Sequence, residues 1–406
     1  MKEKIIRYLN FVIYWAIVLI PFSIAIAPGM TFSFMGLLAF SYICKKLIIW
    51  EAPKIVTPVT LPFLLLIAVA FISFKNTIDF RASLQGITKL LQDIFLLLIC
   101  AEEVRDKKHI KYIVFSIAAG AFLSSYDGLW QVIFGKDFIQ GHATIINIGI
   151  VRATAAFPNA NVFGVYLSAI APLIIGLALF YYKGAKKILM LIVAALATFG
   201  IVLTFSRGTA LALYLSVLFL SFMRKSKIIS VALIILLLVS PFVMPQSIKK
   251  WAKEVNYNPV RFMLNDDRIS IYKNALNMIK HHPVIGVGVN TFSKNYQTYK
   301  LPEPDWAKTV GSLYAHNHFL QMAGEIGLLG LAVFLWLLYR LFKANFRIYS
   351  GLKDEYLKVV SVSLVACFIA FLTNGLTETS LYYSRVAMIF WYLIGVTLSL
   401  QNLTKE

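Results

Sequence analysis

The chain has 406 residues, of which 59% are hydrophobic and 14% are charged, and its mean hydropathy is +0.75. A soluble domain carries about 25% charged residues, so this composition excludes an ordinary soluble protein and predicts an integral membrane protein. The formal charge of +20 comes from basic residues that mostly flank apolar runs, as membrane insertion requires, so nucleic acid is not an expected partner. The widely spaced Cys44, Cys100 and Cys367 predict neither a disulfide framework nor a metal site.

Apolar runs of about twenty residues, the length that crosses about 30 Å of hydrocarbon, recur from one end of the chain to the other. They predict an all-α integral membrane protein with about twelve transmembrane helices. The predicted spans are approximately 8–27, 30–48, 57–74, 84–101, 110–134, 162–182, 188–205, 209–223, 228–244, 319–342, 357–376 and 384–402.

The distribution of basic residues predicts the orientation, because short cytoplasmic loops hold the excess of Lys and Arg. With the N-terminus in the cytoplasm, the predicted inner segments contain 22 such residues and the short outer loops contain six. We therefore expect both termini in the cytoplasm and the long polar loop between helices nine and ten outside it.

Three regions follow from this topology: helices one to nine in 1–245, an outer cap loop in 246–315, and helices ten to twelve in 316–406. Together they read as one membrane domain with a cap. Within the cap, the segment QSIKKWAKEVN has the pattern of a short amphipathic helix at the lipid surface. A second helix is predicted to start at Asp266 and Asp267, which can cap it, and to end near Pro283.

Two arginines stand out as candidate ligands for an anion. Arg207 lies in a tight turn between two apolar spans, where a guanidinium near hydrocarbon costs about 2.5–3.5 kcal/mol without a partner. Arg207 either reaches to lipid headgroups or belongs to an anion site. In an anion site, Gly208 would allow the backbone to approach the anion closely. Arg268 lies at the start of the cap helix, where either a phosphate or Asp266 and Asp267 can be its partner.

A polar triplet, His316, Asn317 and His318, marks the return of the cap to the membrane. A histidine is the natural general base among the outer polar residues, because it accepts a proton near neutral pH. The HxH pattern alone is weak evidence for a metal, since no carboxylate or cysteine cluster accompanies it, and we expect no metal and no cofactor.

The loop before helix six holds Arg152 and the sequence Phe157-Pro158-Asn159-Ala160-Asn161. Its asparagines suit either an N-cap or hydrogen bonds to a sugar or phosphate. Two further pairs within helices four and five, Lys89 with Asp93 and Asp127 with Gln131, are expected to be structural. Three charged residues near the outer side are candidates to line a cavity: Glu325, Glu378 and Arg385.

Four motifs occur in an order that resembles the O-antigen ligase and O-antigen polymerase superfamily of bacterial membrane glycosyltransferases. They are FPNANVFGVYL at 157–167, LTFSRGTALAL at 203–213, RISIYKNALNMIKHHPVIGVGVNTF at 268–292 and AHNHFLQMAGEIGLLGLAVF at 315–334. The resemblance covers about residues 150–340. It implies a GT-C-like membrane fold with a large outer loop before the last three helices.

The resemblance also implies roles for particular residues. Arg207 and Arg268 would bind the pyrophosphate of an undecaprenyl-pyrophosphate-linked glycan, and His316 would be the base. His318 ranks second as a base candidate. Further candidates for substrate contact are Arg152, Asn159, Asn161 and Asn317. The segment between Arg268 and His316 would set their separation.

The expected activity is therefore metal-independent, inverting transfer of a glycan from undecaprenyl pyrophosphate to an acceptor hydroxyl, such as a sugar of the lipid A core. The reaction would take place on the outer face of the bacterial inner membrane, among membrane lipids, during lipopolysaccharide biosynthesis. A polymerase that joins lipid-linked repeat units is the alternative within the superfamily. A lipid or polysaccharide transporter is the alternative from another class, although transporters usually concentrate polar groups at the bilayer midplane.

Overall fold

The computed structural model describes residues 1–53, 56–147, 150–243, 246–302 and 314–404, and the fold is all-α apart from one small hairpin. Within these ranges, nine helices are long and apolar enough to cross a membrane, or ten if the bent pair α9 and α10 forms one span. The helices before the cap are α1 Lys2–Ile26, α2 Pro28–Ile49, α3 Thr60–Ile72, α4 Phe80–Glu103, α5 Lys107–Phe134, α6 Ala160–Phe180, α7 Gly184–Leu203, α8 Arg207–Met223 and α9 Lys227–Val243.

The described part of the cap contains four helices, and three long helices follow it. They are α10 Gln246–Glu254, α11 Pro259–Met263, α12 Asp266–His281, α13 Phe292–Asn295, α14 His318–Gly351, α15 Glu355–Gly375 and α16 Ser384–Ser399. Each of the twelve predicted spans thus coincides with a helix. Because α3, α8 and α9 are short for a span, the number of membrane crossings stays a prediction.

The centre of the bundle is formed by α6, α15 and α16, which are the most deeply buried spans. α6 packs against α7, α8 and α15, whereas α16 packs mainly against α4. Small residues permit these close approaches: a Cβ added at Gly395 would lie 2.6 Å from the carbonyl oxygen of Leu97. The central helices therefore join the N-terminal helices of the bundle to the last two helices.

A hairpin and its loop cover the start of α6. Strand β1 (Ile145–Asn147) pairs antiparallel with β2 (Ile150–Arg152), with Ile145 opposite Arg152. As expected, Asp127 and Gln131 are structural: Asp127 accepts a hydrogen bond from the Phe138 amide, and Gln131 accepts one from Thr154. Their contacts fasten the hairpin loop to α5.

α14 is broken at Gly327, which has φ 74° and ψ 176°. Residues 283–290, here called the tongue, bind the exposed backbone at this break. The amide of Val287 donates to Gly324 O at 2.9 Å, and the amide of Leu328 donates to Pro283 O at 2.8 Å. Gly286 has φ 68°, and a Cβ there would lie 2.3 Å from the carbonyl carbon of Glu325. The tongue therefore requires glycine on both sides of this contact.

The other edge of the tongue is held by the cap-side ends of α3 and α4. Asn76 Nδ2 donates to Gly286 O at 2.8 Å, and Ser83 Oγ donates to Val289 O at 2.9 Å. The tongue is thus inserted between membrane helices and gives the predicted outer cap a rigid attachment. The tongue follows directly after α12. That helix begins at the predicted Asp266, but its N-cap is Asn265 and not Asp266 or Asp267.

Candidate functional site

The carboxylate of Glu378 is the centre of a polar cluster on the cap side of the bundle. Glu378 follows α15 and is only 4% exposed. Its Oε1 accepts hydrogen bonds from Arg268 Nη2 at 2.5 Å and from Asn161 Nδ2 at 2.6 Å. Its Oε2 lies 3.4 Å from His316 Nδ1. One side chain therefore joins the first turn of α12, the link before α14 and the first turn of α6.

Arg152 extends this cluster toward α7 and α8. Its Nη2 donates to Asn161 Oδ1 at 2.6 Å, and its Nε donates to Thr204 O at 2.7 Å. Asn161 thus links Arg152 to Glu378 through its amide group. The amide oxygen accepts a hydrogen bond and the amide nitrogen donates one, so replacing Asn161 would remove a hydrogen bond from both charged neighbours.

Arg207 is the first residue of α8 and points toward the cap. Its Nη1 donates to the carbonyl oxygen of Phe262, and its guanidinium carbon lies 5.6 Å from the Trp251 ring centroid and 5.4 Å from that of Phe262. Within the described ranges no carboxylate pairs with Arg207. Aromatic faces hold a guanidinium without neutralising it, so Arg207 keeps its charge for an anionic ligand.

These three arginines line one cavity of about 520 Å³ between α8, the hairpin and the cap helices. Lys250 and Glu254 of α10 also line it, as do Trp251 and Asn265. Four basic side chains thus meet one carboxylate at the wall, with Glu378 just behind it. A cavity of this size and charge suits a polyanion with a bulky group attached.

The amino end of α8 adds a second source of positive potential. Ser206, Arg207 and Gly208 line the cavity, and the Ser206 side chain makes no capping hydrogen bond. Free amides at a helix N-terminus favour an anion. Gly208 also has a packing role, because a Cβ there would lie 2.3 Å from Thr377 Oγ1. Glycine at this position lets the loop that carries Glu378 pack close to α8.

His316 occupies the short link before α14 and has φ 48°, which is rare for a residue other than glycine. The Tyr272 hydroxyl lies 2.8 Å from both His316 O and Leu376 O. Asn317 Nδ2 donates to Leu376 O at 3.1 Å, while its Oδ1 caps α14 through the Leu320 amide. These contacts fix the backbone on both sides of His316, whose ring remains half-buried beside Glu378.

Electrostatic effects favour the charged form of the carboxylate. Burial alone would raise the pKa of Glu378, but the hydrogen bond from His316 and the charge of Arg268 outweigh it and hold the pKa below its usual value. Burial lowers the pKa of Arg152, and the positive charge of Arg268 lowers it further. The neighbouring guanidiniums therefore repel one another in the absence of a bound anion.

The other candidate residues lie outside this cavity wall. Asn159 caps α6 by accepting from the Val162 amide at 2.9 Å. His318 is 2% exposed, and neither ring nitrogen has a hydrogen-bond partner in the described part of the chain. Its ring faces a separate cavity of about 100 Å³ that Asp93 also lines. These placements favour structural roles for Asn159 and His318.

Glu325 and Arg385 also have structural partners. The Glu325 carboxylate accepts from the amides of Asn290 and Phe292 and so anchors the end of the tongue. Arg385 donates to Ala156 O at 2.5 Å and stacks on Phe157 at 4.2 Å. Among the described residues, no three His, Cys, Asp or Glu side chains are grouped as metal ligands.

The sequence alone did not assign partners to Glu378 or connect Trp251 and Phe262 with Arg207. A carboxylate in the polar stretch NGLTETS between two apolar spans was a local signal for Glu378. Its partners are too distant in the chain to be inferred from spacing. No comparable signal marked the two aromatic residues.

The fold and site define a polytopic membrane protein with a basic cavity beneath a cap. Residues 191–335 match the family model described as O-antigen ligase. This match supports the O-antigen ligase and polymerase superfamily, which the four sequence motifs resemble. Members of this family are glycosyltransferase-like enzymes. The matched segment contains Arg207, Arg268 and His316, whereas Arg152 and Glu378 lie outside it. No curated protein matches the chain significantly.

Proposed function

We propose that the protein transfers a glycan from undecaprenyl pyrophosphate to an acceptor hydroxyl, as an O-antigen ligase does. The observation that carries this proposal is the convergence of Arg152, Arg207 and Arg268 on one cavity whose neighbour is the His316–Glu378 pair. A pyrophosphate is a polyanion that guanidinium groups match geometrically, and the pair supplies a base beside it.

The donor's pyrophosphate fits between Arg207 and Arg268, near the amino end of α8. Arg268 is already paired with Glu378, so Arg207 and the α8 amides offer the uncompensated positive charge. Trp251 also lines the cavity, and its buried Nε1 lacks a hydrogen-bond partner among the described residues. The isoprenyl chain would remain in the membrane beside the apolar helices.

His316 is the proposed general base. With Nδ1–H directed to Glu378 Oε2, the ring's Nε2 carries the lone pair that accepts the acceptor's proton. The acceptor oxygen forms a bond to the anomeric carbon as the bond from that carbon to the phosphate oxygen breaks. Undecaprenyl pyrophosphate leaves with the electron pair, and its added negative charge is stabilised by the arginines. Attack opposite the leaving group inverts the anomeric centre.

The acceptor distinguishes the two activities within the superfamily. A ligase would use a lipid A-core sugar or a similar hydroxyl, whereas a polymerase would use a second lipid-linked glycan. In a deletion strain, free core with accumulated long lipid-linked chains would identify a ligase. Single repeat units attached to the core would instead identify a polymerase.

The direct test is an assay of the purified full chain with undecaprenyl-pyrophosphate-linked glycan and candidate acceptors. Mass spectrometry should detect a new glycosidic bond together with released undecaprenyl pyrophosphate, and NMR should detect inversion of the anomeric configuration. Movement of the lipid across vesicles without a new bond would contradict the proposal and favour a transporter. The excess of basic residues in the predicted inner loops supports the outer face of the inner membrane as the location of the proposed reaction.

A further inference from the structure

A second cavity lies at the far end of α14 from the tongue, between that helix and the 3₁₀ turn that follows α16. Its volume is about 630 Å³, and three basic residues of α14 line it: Arg340, Lys343 and Arg347. These residues recur every three or four positions and therefore share one helical face. Residues 328–347 extend about 30 Å at 1.5 Å per residue, so these charges lie across the bilayer from the Gly327 break.

The charges in this groove differ from others on the same side of the bundle. Lys45, Lys46, Lys107 and Arg224 each form an ion pair with an acidic side chain. No such pair joins the three groove cations to any acidic residue in the ranges that the structure describes. The Lys343 ammonium lies 5.8 Å from the centroid of the Tyr339 ring. The groove is therefore positively charged and ready for an anion.

The walls of the groove indicate what kind of anion it accepts. Trp336 lines it one helical turn deeper in the membrane than Arg340, and Ile348 and Pro58 provide further apolar surface. An acidic peptide from the aqueous phase would meet the cations but not the deeper Trp336. A phospholipid meets both, because its phosphate lies at the membrane surface and its acyl chains lie below it.

We propose that this groove is a binding site for an anionic phospholipid of the leaflet opposite the cap, such as phosphatidylglycerol. The headgroup phosphate contacts Arg340, Lys343 and Arg347, and one acyl chain lies along Trp336. This site is separate from the arginine cavity, and its occupation does not depend on the proposed glycan transfer.

The test uses the full chain purified in neutral detergent and mixed with equal amounts of phosphatidylglycerol and phosphatidylcholine. Native mass spectrometry then reports which lipid stays bound. We expect wild type to retain phosphatidylglycerol selectively. The R340Q/K343Q/R347Q variant should bind it on the order of 100-fold more weakly, since each surface cation contributes about fivefold. Excess glycerol phosphate, which lacks acyl chains, should not displace the lipid.

The matched control is K183Q/K186Q/K187Q, which removes three charges at the amino end of α7 on the same side without altering the groove. It should bind phosphatidylglycerol like wild type. The single R347Q variant, expected to weaken binding about fivefold, provides the test if the triple variant does not fold. Equal loss in the control, undiminished binding by the groove variants, or equal retention of phosphatidylcholine would overturn the proposal. The proposal would also be overturned if wild type and the control were dimers and only the groove variants were monomers. The groove would then be a contact surface for a second copy of the chain.

Discussion

Arg268, in the first turn of cap helix α12, and His316, directly after the cap, contact opposite oxygens of the same Glu378 carboxylate, at 2.5 Å and 3.4 Å. Glu378 contacts both the proposed phosphate ligand and the proposed base, and so sets their separation. Because Glu378 is outside the cap, this contact also docks the cap on the loop between α15 and α16. Several expected outcomes depend on this arrangement.

Replacing Glu378 by Gln should reduce glycan transfer by at least about 10²-fold, the lower end of typical general-base contributions. The neutral amide no longer stabilises the protonated His316 ring or balances Arg268. The rate of transfer from lipid-linked donor measures this effect. Glu254→Gln is the control, because this exposed carboxylate lines the same cavity without touching His316. Equal losses in both variants would mean that the net charge of the cavity, rather than the His316–Glu378 pair, controls the rate.

The His316→Ala variant should lose about 10² to 10⁴ in rate, or about 2.7–5.4 kcal/mol of transition-state stabilisation. Binding of the donor should persist, because the arginines remain. Single-turnover transfer and donor binding are measured separately. The exposed His281→Ala variant is the control. A His316→Ala protein that inserts normally and transfers at the wild-type rate would remove His316 from the mechanism.

The neighbouring histidine should behave differently. His318→Leu is expected to keep transfer activity and to melt at the same or a higher temperature than wild type. Its imidazole is buried without hydrogen-bond partners in the described ranges, so an apolar side chain of similar size removes a desolvation penalty. Loss of activity with an unchanged melting temperature would show that the buried ring takes part in the reaction.

Arg207→Lys should weaken donor binding and lower the transfer rate, although the charge is kept. A lysine cannot reproduce the planar fork held between Trp251 and Phe262. Isothermal titration with undecaprenyl pyrophosphate measures the affinity. Arg261→Lys is the control, since Arg261 is exposed and lies 3.6 Å from Asp266. Wild-type affinity in Arg207→Lys would show that the pyrophosphate binds at another site.

The lowered pKa of Glu378 predicts a pH dependence of stability. Its carboxylate stabilises the folded state at pH values above the unfolded pKa of about 4.3, and this contribution is lost as pH falls through the lower folded pKa. Glu378→Gln should therefore melt below wild type at pH 7. The difference in melting temperature should narrow on acidification below about pH 4.3. A difference that does not change with pH would contradict the ion pairing.

The tongue provides a test of how the cap is attached. Gly286→Ala should destabilise the protein by about 1–3 kcal/mol, because φ is 68° and the added Cβ meets the Glu325 backbone. Gly36→Ala is the control, since a Cβ there meets nothing within 4 Å. Melting temperatures in detergent compare the two. Equal stability of both variants would show that the tongue tolerates a shift away from α14.

Local signals in the sequence were sufficient to predict the class of protein and the position of every long helix. Hydrophobicity over about twenty residues predicts a span because the bilayer leaves no other way to satisfy the backbone. The cap helix α12 begins at the predicted Asp266 for a similarly local reason, the capping of free amides. Basic and titratable residues in the turns between predicted spans were also recognisable, because charge is unfavourable beside hydrocarbon.

Only the tertiary structure decided which of these polar residues meet. His316 and His318 are two positions apart, yet one faces Glu378 and the other is buried at the start of α14. Arg268 and Glu378 are separated by 110 positions and form one ion pair. Sequence patterns report the environment of each segment, whereas pairing between segments depends on the packing of helices and on glycine contacts such as Gly208 with Thr377. For that reason the sequence by itself determined the helices and the candidate residues, and helix packing decided how the site is assembled.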